Sequence, residues 1–204
     1  MTRLHNLQRD VRGASAAEFT LVVPLLLLLI FGTIDVGRYA WNLSQAEKAT
    51  QTGARWAVST DMIASGLYAY SFAISGGVTQ GTTVPQANFP TVTCQSSGGA
   101  ASCACASSCA FGTAVDNEAF TRLATRMAQI YPGLTADNVV VTYAWSGLGF
   151  AGDPNGSDVA PLTTVSLQRL RYRPFSSFIF GQAVDLPAFA YTLPMEDGSG
   201  TGSN

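Results

Sequence analysis

From Phe19 to Ile34 the chain carries no charged side chain, and its middle is an unbroken run from Leu25 to Leu29. With the small residues before it, this stretch approaches the roughly 20 apolar residues that cross a bilayer as a helix. Beyond Arg38 the pattern changes without a helix breaker. In "YAWNLSQAEKATQTGARWAVST" Leu43, Ala46, Ala49 and Gly53 recur at threes and fours, which places small residues on one stripe. One helix is expected from about Ala14 to about Thr60, membrane-spanning over residues 14–38 and a stalk over 39–60. Its small-residue stripe either docks on the rest of the chain or packs closely against other subunits.

Residues 61–196 read as a separate α+β domain. Ile63 to Ile74 either prolongs the helix or forms a second one, and Gly76-Gly77 ends it. "FPTVTC" alternates like a short strand. The clearest helix is "TAVDNEAFTRLATRMAQIYPG", with Ala119, Leu123, Ala124, Met127 and Ile130 on one face. Asp116 and Glu118 come early and Arg122 and Arg126 late, in line with the helix dipole, and Pro132-Gly133 stops it. "NVVVTYAW" reads as a strand, residues 147–158 as an exposed turn region, and "APLTTVSLQRLRYRP" as an antiparallel strand. "FSSFIFGQAV" is a short helix or apolar loop, "PAFAYTLPME" another strand, and residues 197–204 a disordered tail. The expected fold is a long N-terminal helix packed on a small antiparallel sheet of three or four strands with an additional helix.

Charge sets the direction. Arg3, Arg9 and Arg12 outweigh Asp10 ahead of the apolar run, which favours a cytoplasmic N-terminus and an extracytoplasmic remainder. Asp35, Gly37 and Arg38 then mark the far membrane boundary. The 11 Lys and Arg of a chain with net charge -2 are otherwise scattered, which argues against a nucleic-acid partner. A secretory signal peptide would have a shorter apolar core and a small-residue cleavage site, and fits poorly.

Glu18 needs a reason, because a lone carboxylate near the edge of an apolar helix is costly without water or a cation. In the uncut chain Arg12 or the interface could supply one. Cleavage between Gly13 and Ala14 would instead create an amine one helical turn from Glu18, in its own chain or on a packed neighbour. Pro24 removes a helix donor and leaves the Thr20 carbonyl without its usual partner, which implies a modest kink.

Chemistry is sparse. Cys94, Cys103, Cys105 and Cys109 lie in a flexible loop of small residues, 94–109, and suit disulfides in an oxidising compartment. Cys103 with Cys105 is the least attractive pair. Two pairings stay open: Cys94–Cys103 with Cys105–Cys109, or Cys94–Cys105 with Cys103–Cys109. The spacing fits a zinc site or a Cys-x-x-Cys redox motif poorly. His5, the only histidine, falls in the cytoplasmic leader, so the outer domain has no Ser-His-Asp or Cys-His set. Asp153, Asn155 and Asp158 lack the spacing and terminal Glu of a calcium loop. No enzyme, metal or cofactor is expected. Arg169, Arg171 and Arg173 alternate and would share one strand face, a possible partner surface.

The order basic residue, Gly13, Ala14, Glu18-Phe19, Pro24 in the apolar run, Asp35 and Gly37-Arg38 resembles the N-terminus of TadE-like minor pseudopilins of the tight-adherence (Flp) pilus system. That resemblance reaches roughly residue 56 and is loose beyond it. It implies a pilin-like protein of the bacterial inner membrane with residues 1–13 as leader. It further implies cleavage by a prepilin peptidase at Gly13-Ala14, and assembly through Glu18, Phe19 and Pro24 with other pilus or pseudopilin subunits and their platform. The alternative is an unprocessed membrane-anchored extracytoplasmic binding domain, with residues 147–158 or the three arginines facing a ligand.

Overall fold

The computed structural model describes residues 14–200; the expected leader, Gly13 included, and residues 201–204 lie outside the described residues. Helix α1 runs unbroken over Ala14–Val58, through Pro24. At about 1.5 Å per residue it is about 68 Å long. The fold then separates into two compact units, residues 14–41 with Tyr172–Val184, and residues 42–171 with 185–200.

The larger unit holds the C-terminal part of α1, helix α2 (Ser65–Ala69), helix α3 (Asn117–Ala128) and a sheet. The sheet strands are β1 (Val92–Ser97), β2 (Ala100–Cys105), β3 (Val139–Ala144), β4 (Leu162–Leu167) and β7 (Phe189–Pro194). They pair antiparallel in the order β2-β1-β3-β4-β7. The sheet has five strands, against the three or four expected, because the cysteine-rich excursion is itself a hairpin. Its two-residue turn is Gly98-Gly99, both at positive φ, the conformation a tight hairpin requires. Cys94 and Cys103 face each other in the β1–β2 register and are disulfide-bonded; Cys105 bonds Cys109. The first of the two pairings is therefore the one present.

Central β3 buries Val139, Val140, Val141 and Tyr143, whereas edge strand β7 buries none of its residues. The Tyr143 hydroxyl, fully buried, accepts the Ile63 amide proton at 3.0 Å and so ties the segment after α1 to the sheet. α3 is capped by Asp116, whose carboxylate accepts from the Ala119 N–H at 2.9 Å. Its core face is Ala119, Phe120, Leu123, Ala124 and Met127. The small stripe of α1 is buried within the chain: Ala46, Ala49 and Ala54 are wholly buried, and at Gly53 the helix meets α3 so closely that a Cβ there would stand 2.6 Å from Met127 Sδ. Docking within the chain, rather than contact between subunits, uses this stripe.

Three expectations are corrected. The strand read over 160–174 breaks after Leu167, because Asn138 Nδ2 donates to the carbonyls of Gln168 and Arg169 and Arg169 turns left-handed at φ 58°. A separate two-residue strand β5 (Arg171–Tyr172) pairs with β6 (Val184–Asp185). Residues 147–158 are not simply exposed: Ala151 exchanges backbone hydrogen bonds with Gly81 and Thr82, and the buried Asp158 carboxylate accepts from the N–H groups of Phe72 and Asp153. The described part of the tail is held as well, with Asp197 N–H donating to Val58 O and Gly198 O accepting from Met62 N–H.

Candidate functional site

The smaller unit carries Glu18, Phe19, Pro24, Asp35, Gly37 and Arg38 of the residues that the sequence singles out. From Ala16 to Ile34 α1 is exposed at every position but half-buried Val23, and the exposure includes Phe19 at 70% and Leu25 at 71%. A helix apolar on all sides needs an apolar surrounding, and this one is long and apolar enough to cross a membrane. Ala14 begins the helix, Glu18 projects from it one turn later, and Pro24 sits in its interior. Upstream of Pro24, the Thr20 hydroxyl donates to the Ala16 carbonyl at 2.7 Å.

Asp35 is the first buried side chain along α1, 8% exposed. Its carboxylate is gripped by the segment that follows β5. Oδ1 accepts the Phe175 N–H at 2.6 Å and Oδ2 the Ser176 N–H at 2.8 Å. The Tyr172 hydroxyl donates to the Asp35 backbone carbonyl at 3.2 Å. These amides are available because Pro174 opens a turn, closed by Ser177 N–H to Pro174 O, whose first donors have no local acceptor. A charged acceptor bonded to two amides makes stronger bonds than a neutral one. Burial pushes the Tyr172 phenol up; Arg38 opposes this and Asp35 adds to it, so the hydroxyl keeps its proton and donates.

One turn on, the Arg38 guanidinium stands 4.4 Å from the Phe175 ring centre and 5.8 Å from that of Tyr172. Tyr39 meets Tyr172 edge-on at 5.7 Å. Asp35, Arg38 and Tyr39 thus clasp Tyr172, Phe175 and Ser176. Gly37 has open space around it, so nothing within this unit requires a glycine there. The clasp's second half went unread in the sequence; its one local sign was Pro174 followed by Phe-Ser-Ser.

Residues 13–55 match the family model described as TadE-like protein. The match takes in about a fifth of the chain. It covers Glu18, Pro24, Asp35, Arg38 and Gly53, and none of Tyr172, Phe175 or Ser176. No curated protein and no solved structure matches the chain.

Outside this TadE-like segment most of the remaining candidates have internal roles. All four cysteines are bonded, so none is a free thiol. Arg169 donates to the Asp137 carbonyl at 2.6 Å, Arg171 pairs with Asp185 at 3.1 Å, and Arg173 is exposed. Asp158 spends its oxygens on the chain's own amides. Among the described residues no group of three His, Cys, Asp or Glu side chains is placed to hold a metal ion.

Proposed function

We propose that this chain is a minor pseudopilin-like structural component, anchored in the inner membrane by one pass with its N-terminus cytoplasmic, that serves assembly of a tight-adherence pilus or a related secretion apparatus. A prepilin peptidase removes residues 1–13 and leaves Ala14 as the first residue. Glu18 then neutralises a terminal amine, its own or a neighbour's, as apolar helices pack side by side through the segment that holds Phe19 and Pro24. Two charges that are each expensive in lipid become tolerable together. The observation that carries this reading is the match of residues 13–55 to TadE-like proteins, on a helix whose first half offers Glu18 and a full apolar circumference. The α+β unit attached to that helix is the extracytoplasmic part, with its disulfides suited to an oxidising compartment.

Mass spectrometry of the membrane fraction tests the first step. A chain beginning at Ala14 is expected, and Glu18→Ala should then leave cleavage intact while abolishing co-purification with other pilus subunits. An N-terminus at residue 1 or 2 would leave a plain anchored binding domain instead.

A further inference from the structure

In the excursion Tyr172–Val184, two described side chains, Phe175 and Phe178, present apolar surface outward. Phe178 is 97% exposed and Phe175 is 58% exposed, although both sit in a segment held firmly at Asp35. We propose that residues 174–180 are a second membrane contact, a foot lying in the lipid–water boundary beside the spanning helix, with Phe175 and Phe178 seated among lipid chains and headgroups.

Depth is the first argument. The charge-free stretch of α1 ends at Ile34, and Asp35 is the first charge after Glu18. Amides within 3 Å of that carboxylate stand at the level where the hydrocarbon region gives way to headgroups. Trp and Tyr concentrate at this level in membrane proteins, and Phe serves on the apolar face of segments lying in the interface; Trp41, 67% exposed, adds a ring in the same unit. Charge is the second argument. Tyr172–Val184 contains no Asp or Glu, while Arg173 is exposed and Arg38 lies over the Phe175 ring. Cations beside exposed aromatics suit the phosphates of anionic lipid. If residues 14–38 span the bilayer, lipid already covers the helix up to the level at which Asp35 holds the segment. The clasp's purpose follows: Asp35 fixes the foot to the anchor at one depth and so limits how far the helix can slide or tilt.

The inference rests on the spanning reading, and one set of vesicles separates the two. Because every native cysteine is bonded, Phe178→Cys and Leu27→Cys each give the full chain one thiol for an environment-sensitive fluorophore. Each labelled protein is reconstituted in phosphatidylcholine–phosphatidylglycerol vesicles at high lipid-to-protein ratio. The label at 178 should emit blue-shifted light, lose iodide quenching, and be quenched by nitroxide lipid labelled near the headgroup. Combining it with Asp35→Ala should restore iodide quenching. The label at 27 should be quenched by nitroxide deep in the chains. Iodide quenching at 178 with deep quenching at 27 overturns the foot and leaves the anchor standing. No lipid quenching at 27 overturns both. Shielding at 178 that disappears on diluting protein into lipid assigns the patch to a second subunit and also overturns the proposal.

Discussion

Gly53→Ala is the substitution in which two opposing terms can be weighed from geometry. At an exposed helix site it would stabilise by about 1 kcal/mol through helix propensity. Here the new methyl carbon would lie 2.6, 2.8 and 3.1 Å from Sδ, Cγ and Cε of Met127. Each separation is short of van der Waals contact, and Met127 is wholly buried, so its side chain has no solvent to swing into. Overfilling a packed core costs about 1–3 kcal/mol. The clash therefore exceeds or cancels the propensity gain, and a net loss of up to about 2 kcal/mol is expected from those ranges. Met127→Ala alone should cost about 2–5 kcal/mol through the cavity it leaves. In the Gly53→Ala background it should cost less, because the new methyl takes part of the vacated space, with a coupling of about 0.5–3 kcal/mol. Denaturant unfolding of the full chain in detergent micelles, followed by tryptophan fluorescence, measures all four corners of the cycle. A Gly53→Ala protein more stable than wild type, or strictly additive effects, would refute the argument that α1 docks on α3 through this glycine.

Two other outcomes can be checked on the same preparations. Asp137 is held below its ordinary 3.8 by the Ser96 hydroxyl and then the Gly98 N–H, which outweigh the opposing effect of burial, with lesser help from the Gly99 N–H and Arg169. A carboxyl with a lowered folded value contributes stability fully above the unfolded value and loses it as pH falls through the lowered one. Asp137→Asn should therefore flatten the acid limb of an unfolding-midpoint profile; an unchanged limb would count against the β1–β2 turn contact. As for the disulfides, Cys94 is fully buried and Cys103 nearly so, whereas Cys105 and Cys109 are half-buried. Graded reduction with differential alkylation should open Cys105–Cys109 first. Loss of Cys94–Cys103, which closes the longer loop, should be the more destabilising, by about 3 kcal/mol against about 2 kcal/mol on loop entropy alone. The reverse order of reduction would mean the hairpin is not packed as described.

Much of the helical structure was legible because period and capping are local. The small residues at 46, 49 and 53 announced a stripe, and Asp116, Glu118 and Arg126 bracketed α3 at its ends. Phe120 was absent from the expected buried face, and half-buried Ile130 lies past the end of that helix. The 160–174 region reads as one strand because its residues alternate throughout, and alternation reports nothing about a break. That break comes from Asn138, some thirty residues away, whose amide takes two carbonyls the strand would have used. Likewise, small residues around the cysteines suggested a loose loop, while a disulfide between facing strand positions makes a paired hairpin of the same residues.

By itself the sequence determined the apolar run with its charges at both ends, the order Gly13, Glu18, Pro24 and Asp35, and the order of most elements, since each depends on neighbours within a few turns of chain. Tertiary structure decided what Asp35 is for. A carboxylate at a membrane boundary reads the same whether it faces water, lipid phosphate or protein. Only folding brings the amides of Phe175 and Ser176, some 140 positions later, within 3 Å of it. Burying that charge is affordable only with those partners in place, and no local pattern encodes a partner so far along the chain.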